Sequence, residues 1–308
     1  MDDGRGEDRA RRKLEKAYLR ERQARARLER LYERERRITE VLQRSAMPET
    51  PMDVDGFVFS ARYLPGSSEA DIGGDWYDVF PGPDGRVAAV VGDVGGKGIL
   101  AAAQMGQLRS VVRALGMGSE SPAELVAAVN RYLKDDDAPY ATLAVVTLDP
   151  ATAECRFALA GHPPPLVLDA GGRARFPDGG RNPPLGADGE SRPDDEPVDL
   201  EPGATLVLYT DGLVESRSRP LDEGLERLRL AAEAALRSPV PFLDGLLARM
   251  TLADSRRDDI ALLSVTVEPV PGPPDGAAPT PTALRLHAAI AGRLSVRRRR
   301  RGGTRATP

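Results

Sequence analysis

The chain has 308 residues with a formal net charge of −4; 41% of them are hydrophobic, only 5% are aromatic, and 31 glycines and 27 prolines imply many turns. One cysteine, Cys155, excludes an internal disulfide and a cysteine-based zinc site, and two histidines cannot build a histidine-rich one. The charge is uneven: Lys and Arg against Asp and Glu number 15 to 11 in residues 1–50, 8 to 1 in residues 269–308, and 20 to 35 in residues 51–268, a net −15 there.

Residues 9–45 contain neither Gly nor Pro and are dominated by Arg, Glu, Leu and Ala, which predicts one long helix. Steps alternating between three and four residues fall on Leu14, Ala17, Glu21, Ala24, Leu28, Leu31, Glu35, Ile38 and Leu42. That stripe fits a coiled-coil seam better than a broad globular face, with Glu21 and Glu35 interrupting it. It predicts a homodimer through residues 9–45; the alternative is a solvated helix packing one stripe on its own domain. Pro48 and Pro51 are expected to end the helix.

From Val54 to Val267 strand-like and helix-like stretches alternate. Apolar, β-rich runs occupy 57–63, 86–93, 140–148, 154–160, 164–168, 204–210 and 259–267, and helical patterns occupy about 98–116, 121–134, 222–236 and 239–252. Ser121-Pro122-Ala123-Glu124 has the form of a helix start. Residues 170–203, rich in Gly, Pro and Asp, predict a loop with one short hairpin. Several strands follow one another without a helix between them, so the class is α+β and not a doubly wound parallel sheet. After Glu268 a Pro-rich linker leads to an Arg-rich tail, Arg297 to Arg301, expected to be disordered. The organisation expected is therefore a helical segment at 1–50, a central α+β domain at 51–268 and a tail at 269–308. The charged N-terminus and the lack of a long uncharged apolar run predict a cytoplasmic protein without a membrane span, and the net −15 of the middle argues against nucleic acid.

Four stretches place aspartate where strand-like runs begin or end, three of them beside glycine: Gly73-Gly74-Asp75-Trp76-Tyr77-Asp78, Gly92-Asp93-Val94-Gly95-Gly96-Lys97-Gly98 and Thr210-Asp211-Gly212-Leu213, with Arg257-Asp258-Asp259-Ile260 the fourth. Singly, each reads as an ordinary turn. Gathered at one sheet edge, such carboxylates would repel one another unless cations sat between them, and hard ions such as Mg²⁺ or Mn²⁺ take oxygen ligands. Two such ions about 3.5–4 Å apart can share a bridging carboxylate. The glycines after Asp93 lack the spacing and the Lys-Ser/Thr ending of a nucleotide phosphate loop. No serine lies in a nucleophile-elbow pattern, and Cys155 in mid-strand reads as an inert buried thiol.

In this order the motifs, together with Ala160-Gly161-His162-Pro163-Pro164-Pro165-Leu166, resemble the metal-dependent type 2C (PPM) protein phosphatases, above all their bacterial SpoIIE and RsbU branch. The resemblance covers roughly residues 50–267, and residues 33–48 resemble the linker helix that often precedes such a domain. It implies an antiparallel β-sandwich flanked by helices, with two Mn²⁺ or Mg²⁺ ions at one end. Asp93 would bridge the metals, the Val94 carbonyl would ligate one, Asp211 and Asp258 would hold the other, and Asp75 would bind directly or through water; Asp259 is the further candidate ligand beside Asp258. The activity implied is hydrolysis of phosphoserine or phosphothreonine by a metal-activated water without a covalent intermediate. The substrate implied is a bacterial signalling protein such as an anti-sigma-factor antagonist. The alternative is a pseudophosphatase that binds a phosphoprotein without hydrolysing it.

Two departures from the family pattern stand out. Gly95 occupies a position where eukaryotic relatives often carry a histidine suited to general-acid work. Leu159 stands where many close relatives have Asn, and His162 is expected to be structural. Cations near the motifs are few: Arg62, Lys97, Arg256 and Arg257.

Overall fold

In a computed structural model of the protein, the residues described are 4–46, 54–66, 73–134, 140–152, 154–187, 192–215, 220–251 and 258–268. Helix α1 (Gly4–Ala46) lies alongside helix α2 (Gly98–Gly116). Most of its described side chains are exposed, and Leu28, Leu31 and Ile38 of the expected seam show 52, 55 and 41% of their surface. Those three residues are not buried on their own domain. Pro48 and Pro51, the expected stop, and the tail at 269–308 lie outside the described residues.

The remaining elements are β1 (Phe57–Leu64), β2 (Gly74–Pro81), β3 (Val87–Val94), α2, α3 (Pro122–Lys134), β4 (Ala141–Asp149), β5 (Glu154–Ala160), β6 (Leu166–Leu168), β7 (Ala174–Arg175), β8 (Arg181–Asn182), β9 (Glu196–Pro197), β10 (Thr205–Tyr209), α4 (Leu221–Leu236), α5 (Phe242–Thr251) and β11 (Ile260–Val267). One sheet has the order β1-β11-β10-β6-β7, the other β2-β3-β4-β5-β8, with β9 added to β5. All pairings are antiparallel except the two-residue β5–β8 contact.

The period of two along each strand divides the apolar residues into three cores. Tyr77, Val79, Ala89, Val91, Leu206, Leu208, Leu263 and Val265 face one another between the sheets. Trp76, Phe80, Val90 and Val145 turn outward onto Met105 and Val112 of α2 and Val126 and Val129 of α3. On the other side, Val207, Tyr209, Ile260 and Leu262 pack on Leu228 and Ala232 of α4 and Leu246 of α5. The result is the expected antiparallel sandwich with a helical layer on each face. Strands buried on both faces explain why these segments are apolar runs rather than alternating ones.

The α3 start is built as its sequence implies: the Glu124 amide donates to Ser121 Oγ at 3.2 Å, and the Glu124 carboxylate accepts from the Glu120 amide at 2.7 Å. Three stretches depart from expectation. Residues 170–203 hold no hairpin of their own among the described residues: β7 pairs with β6 of one sheet, while β8 and β9 pair with β5 of the other, so the stretch crosses between the sheets. Helix α5 begins at Phe242 and not near 239, because Pro239 and Pro241 disfavour helical backbone in the residues before them. Strand β2 runs through a stretch in which the aspartates signalled a turn. There the flanking Trp76, Tyr77, Val79 and Phe80 are buried and decide the conformation.

Candidate metal centre

The same period of two that builds the core aims the aspartates. Asp75 shares the inward face of β2 with Tyr77 and Val79, and Asp93 shares the inward face of β3 with Ala89 and Val91. The two are directly paired in register, and Asp93 is paired in turn with Thr142 of β4. Asp211 opens a short turn directly after β10 and Thr210, while Asp258 and Asp259 immediately precede β11. The sheets thus bring their aspartate-bearing ends to one rim. Gly74 permits the close approach there, because a Cβ on it would collide with the Val94 carbonyl.

Two contacts tie the sheets together at this rim. His162 is buried; its Nδ1 lies 2.8 Å from Thr142 Oγ1 on one sheet and its Nε2 lies 3.0 Å from the Tyr209 carbonyl on the other. The carbonyl can only accept, so Nε2 carries the proton and Nδ1 accepts from the threonine. Burial pushes the imidazole down to about 4, so it is neutral at pH 7. The second tie is Asp259, whose carboxylate accepts the Gly73 amide at 2.6 Å and the Tyr63 hydroxyl at 2.5 Å. Thr210, fully buried, accepts the Ala261 amide at 2.9 Å and also bonds the Asp75 carboxylate.

Electrostatically the rim is a cluster of uncompensated acid. Asp75, 3% exposed, is held well above the ordinary carboxylate range, first by burial and next by the charge of Asp93; the Thr210 hydroxyl opposes the rise. Its Oδ2 is buried with no hydrogen-bond partner among the described residues. Burial also raises Asp93; a side-chain hydrogen bond with Asp75 opposes the rise, and Asp258 and Asp259 add to it. Asp211 is pushed up to about 7, by burial first and then by Asp93 and Asp258. Among the described residues no three of these side chains already form a closed cage for one ion. An orphaned buried carboxylate oxygen, oxygen-only donors and mutual repulsion nonetheless fit divalent cations of the hard type.

The expected site residues Asp75, Asp93, Val94, Asp211 and Asp258 all lie at this rim. Asp258 is exposed at its mouth and accepts the Asp259 amide at 3.0 Å. Asp259 is there too, but inside, with both oxygens engaged by donors of the chain. Of the nearby cations, Arg62 is held by Asp244 of α5 through two bonds of 2.6 and 2.9 Å, and Arg256 and Arg257 lie outside the described residues.

Residues 83–268, more than half of the chain, match the family model described as stage II sporulation protein E (SpoIIE). The chain belongs to the SpoIIE family. Among solved structures it is similar to the RsbU and RsbW domains of a Mycobacterium tuberculosis protein, with 30% identity, a TM-score of 0.66, and 77% of this chain and 64% of that one covered. The PP2C phosphatase domain and regulatory-domain fragment of SpoIIE from Bacillus subtilis match at 18% identity and a TM-score of 0.58, over 69% of this chain and 64% of that one. Protein IcfG of Synechocystis is 28% identical over 220 residues, 61% of this chain but only 34% of IcfG. The chain therefore spans about a third of that curated relative and under two thirds of either solved structure. A SpoIIE-family, RsbU-like PPM domain accounts for the motif order and for the four-layer architecture together.

Sequence reasoning did not single out Thr142, Thr210 or Tyr63 as supports of the SpoIIE-type site. Thr210 stood beside a named aspartate and could have been noticed. Thr142 and Tyr63 carry no local signal, since their positions depend on pairing partners far away in sequence. No helix among the described residues is long and apolar enough to cross a membrane.

Proposed function

We propose that this protein is a metal-dependent protein-serine/threonine phosphatase that hydrolyses phosphoserine on a bacterial signalling protein, an anti-sigma-factor antagonist being the substrate class that the resemblance to the RsbU branch implies. The observation that carries the proposal is the rim itself: Asp75, Asp93, Asp211 and Asp258 converge from separate elements, with Asp75 Oδ2 buried and unpaired among the described residues. Asp93 and Asp75, with the Val94 carbonyl, Asp211 and Asp258, would hold two Mn²⁺ or Mg²⁺ ions. Bound there, the ions would supply Lewis-acid activation of water and offset the charge of the transferring phosphoryl group.

The protein's own contribution is placement. Register fixes Asp75 against Asp93, Thr210 orients Asp75, and His162 spans the sheets behind them. His162 has both ring nitrogens engaged and is buried, so it does not protonate a leaving group; Gly95 has no side chain to do so. A domain of net −15 does not attract a dianionic phosphoserine by its bulk field, so recognition rests on the ions and local contacts.

We assign residues 1–50 as an N-terminal segment that dimerises through 9–45 as a coiled coil. Residues 51–268 are the phosphatase domain, 269–308 are the tail, and the cytoplasm is the compartment such a substrate implies. The experiment is hydrolysis of a small phosphomonoester and of candidate phosphoproteins with Mn²⁺ or Mg²⁺. Activity abolished by EDTA supports the proposal. Preference for phosphotyrosine peptides over phosphoserine protein would overturn the substrate class. A folded, metal-loaded and inactive protein would instead favour the pseudophosphatase.

A further inference from the structure

Asp259 behaves differently from the other four aspartates of the rim. It is 1% exposed, and its carboxylate already accepts three hydrogen bonds from the chain: the Tyr63 hydroxyl at 2.5 Å and the Gly73 amide at 2.6 Å on Oδ2, and the Gly66 amide at 2.5 Å on Oδ1. Those donors come from the end of β1, the chain just after it and the approach to β2. Its main chain is packed as tightly. The Asp259 amide donates to Asp258 Oδ1, and a Cβ on Gly212 would collide with the Asp259 carbonyl oxygen. A Cβ on Gly73 would stand 2.8 Å from Oδ2. Two glycines of the motifs are therefore explained by the bulk and acceptors of this one residue.

We propose that Asp259 is a positioning residue, a clasp that sets the geometry of the centre through hydrogen bonds, and not a metal ligand. Gly73 lies two residues before Asp75, Gly212 one residue after Asp211, and Asp258 is the direct neighbour. Three of the four carboxylates assigned to the ions are thus each within two residues of a group that touches Asp259. Asp93, the fourth, is fixed by its pairing with Asp75. A carboxylate that accepts charge-assisted bonds from two amides and a hydroxyl is locked in orientation, and diverting its oxygens to a cation would leave those donors buried and unpaired. Tyr63 is suited to the task because β1 turns Phe57, Phe59, Ala61 and Tyr63 toward the inter-sheet core, leaving the hydroxyl at the rim. The consequence for the ions rests on the metal-centre reading given above; the clasp itself does not.

The test uses the full chain with Asp259→Asn and Tyr63→Phe, each stripped of metal, and follows amide hydrogen exchange at Gly66 and Gly73. In the wild-type chain both amides should be protected. Asp259→Asn turns one acceptor into a donor and should speed exchange at one or both glycines about tenfold or more. Tyr63→Phe should shift Gly73 in the same direction by less. Mn²⁺ bound per chain, measured by equilibrium dialysis, should be unchanged in number in both variants and about 10–100-fold weaker in Asp259→Asn, as for other supports of metal ligands. An unchanged exchange rate at both glycines with one ion lost would make Asp259 a ligand and overturn the clasp. Should Asp259→Asn fail to fold, Tyr63→Phe decides alone, since unchanged Gly73 exchange there contradicts the hydrogen bond. A wild-type chain that binds no Mn²⁺ would refute the metal reading and leave the exchange result to judge the clasp.

Discussion

Asp75 and Asp78 stand three residues apart on β2, both essentially buried, and they meet opposite surroundings. Asp78 faces the helices: Arg109 Nε donates to it at 3.1 Å, Arg113 Nη1 at 2.8 Å and the Val79 amide at 2.9 Å. Asp75 faces the inter-sheet rim among other carboxylates and keeps an oxygen with no hydrogen-bond partner among the described residues. A buried charge that the fold compensates belongs to the architecture, here fastening α2 to β2. One that the fold leaves uncompensated, beside others of the same sign, is where a cation from solvent would enter. The two aspartates of one motif are therefore to be told apart by their partners and not by their sequence context.

The largest effect that could break this distinction is on catalysis. Asp93→Asn or Asp211→Asn should each lower phosphomonoester turnover by at least about 10³, since several kcal/mol of transition-state stabilisation goes with a shared metal site. Steady-state rates in saturating Mn²⁺ check it, and undiminished rates in both variants would remove the metal assignment.

The next effect is on stability and has opposite signs at the two positions. With metal removed, Asp78→Ala should destabilise the fold by about 3 kcal/mol, because Arg109 loses its buried partner; the partial exposure of Arg113 limits the loss. Asp75→Asn should be neutral or stabilising by about 1 kcal/mol, because it removes a buried acid whose charged form the fold disfavours. Chemical denaturation in EDTA compares them, and equal losses at both positions would erase the contrast.

Much of this was legible in the sequence. Asp93, Asp211 and Asp258 could be read because apolar runs give way to Gly92-Asp93 and to Asp211-Gly212, or begin directly after Asp258-Asp259, and helix α3 could be read from Ser121 and Glu124. Strand β2 was not, because Asp75 and Asp78 signal a turn locally and only tertiary burial of Trp76 and Phe80 overrides them. Nor could the sequence say that Asp78 is spoken for by α2, or that Asp259 faces donors from β1. Those partners lie 31 residues or more away in the chain and meet only through register and helix docking.

A smaller effect is on pH. Asp211 has a folded value of about 7, above that of an unfolded aspartate, so its contribution to metal-free stability is full at low pH and is lost as pH rises through about 7. His162 runs the other way: its folded value of about 4 lies below that of an unfolded histidine, so its contribution is full above about 6.5 and is lost as pH falls toward 4. Raising the pH through 7 should therefore strengthen Mn²⁺ binding while weakening the metal-free fold, with protons released on binding. Calorimetric titrations at pH 6 and 8 in buffers of different ionisation enthalpy measure that release, and Asp211→Asn should reduce it.

The smallest expected effect concerns α1. Leu28→Asp with Leu31→Asp should convert a modest dimer to monomer, the seam being weakened already by Glu21 and Glu35. Sedimentation reads the mass, and equal masses with and without residues 1–45 would refute the dimer.

The most direct measurement is the number of Mn²⁺ ions bound per chain, set beside turnover of the same samples. Two ions in the wild-type chain, with fewer ions and no turnover in Asp93→Asn and in Asp211→Asn, is the predicted result. Full turnover in metal-free wild-type protein, or two ions still bound and active in both variants, would contradict the assignment of this rim as a two-metal phosphatase centre.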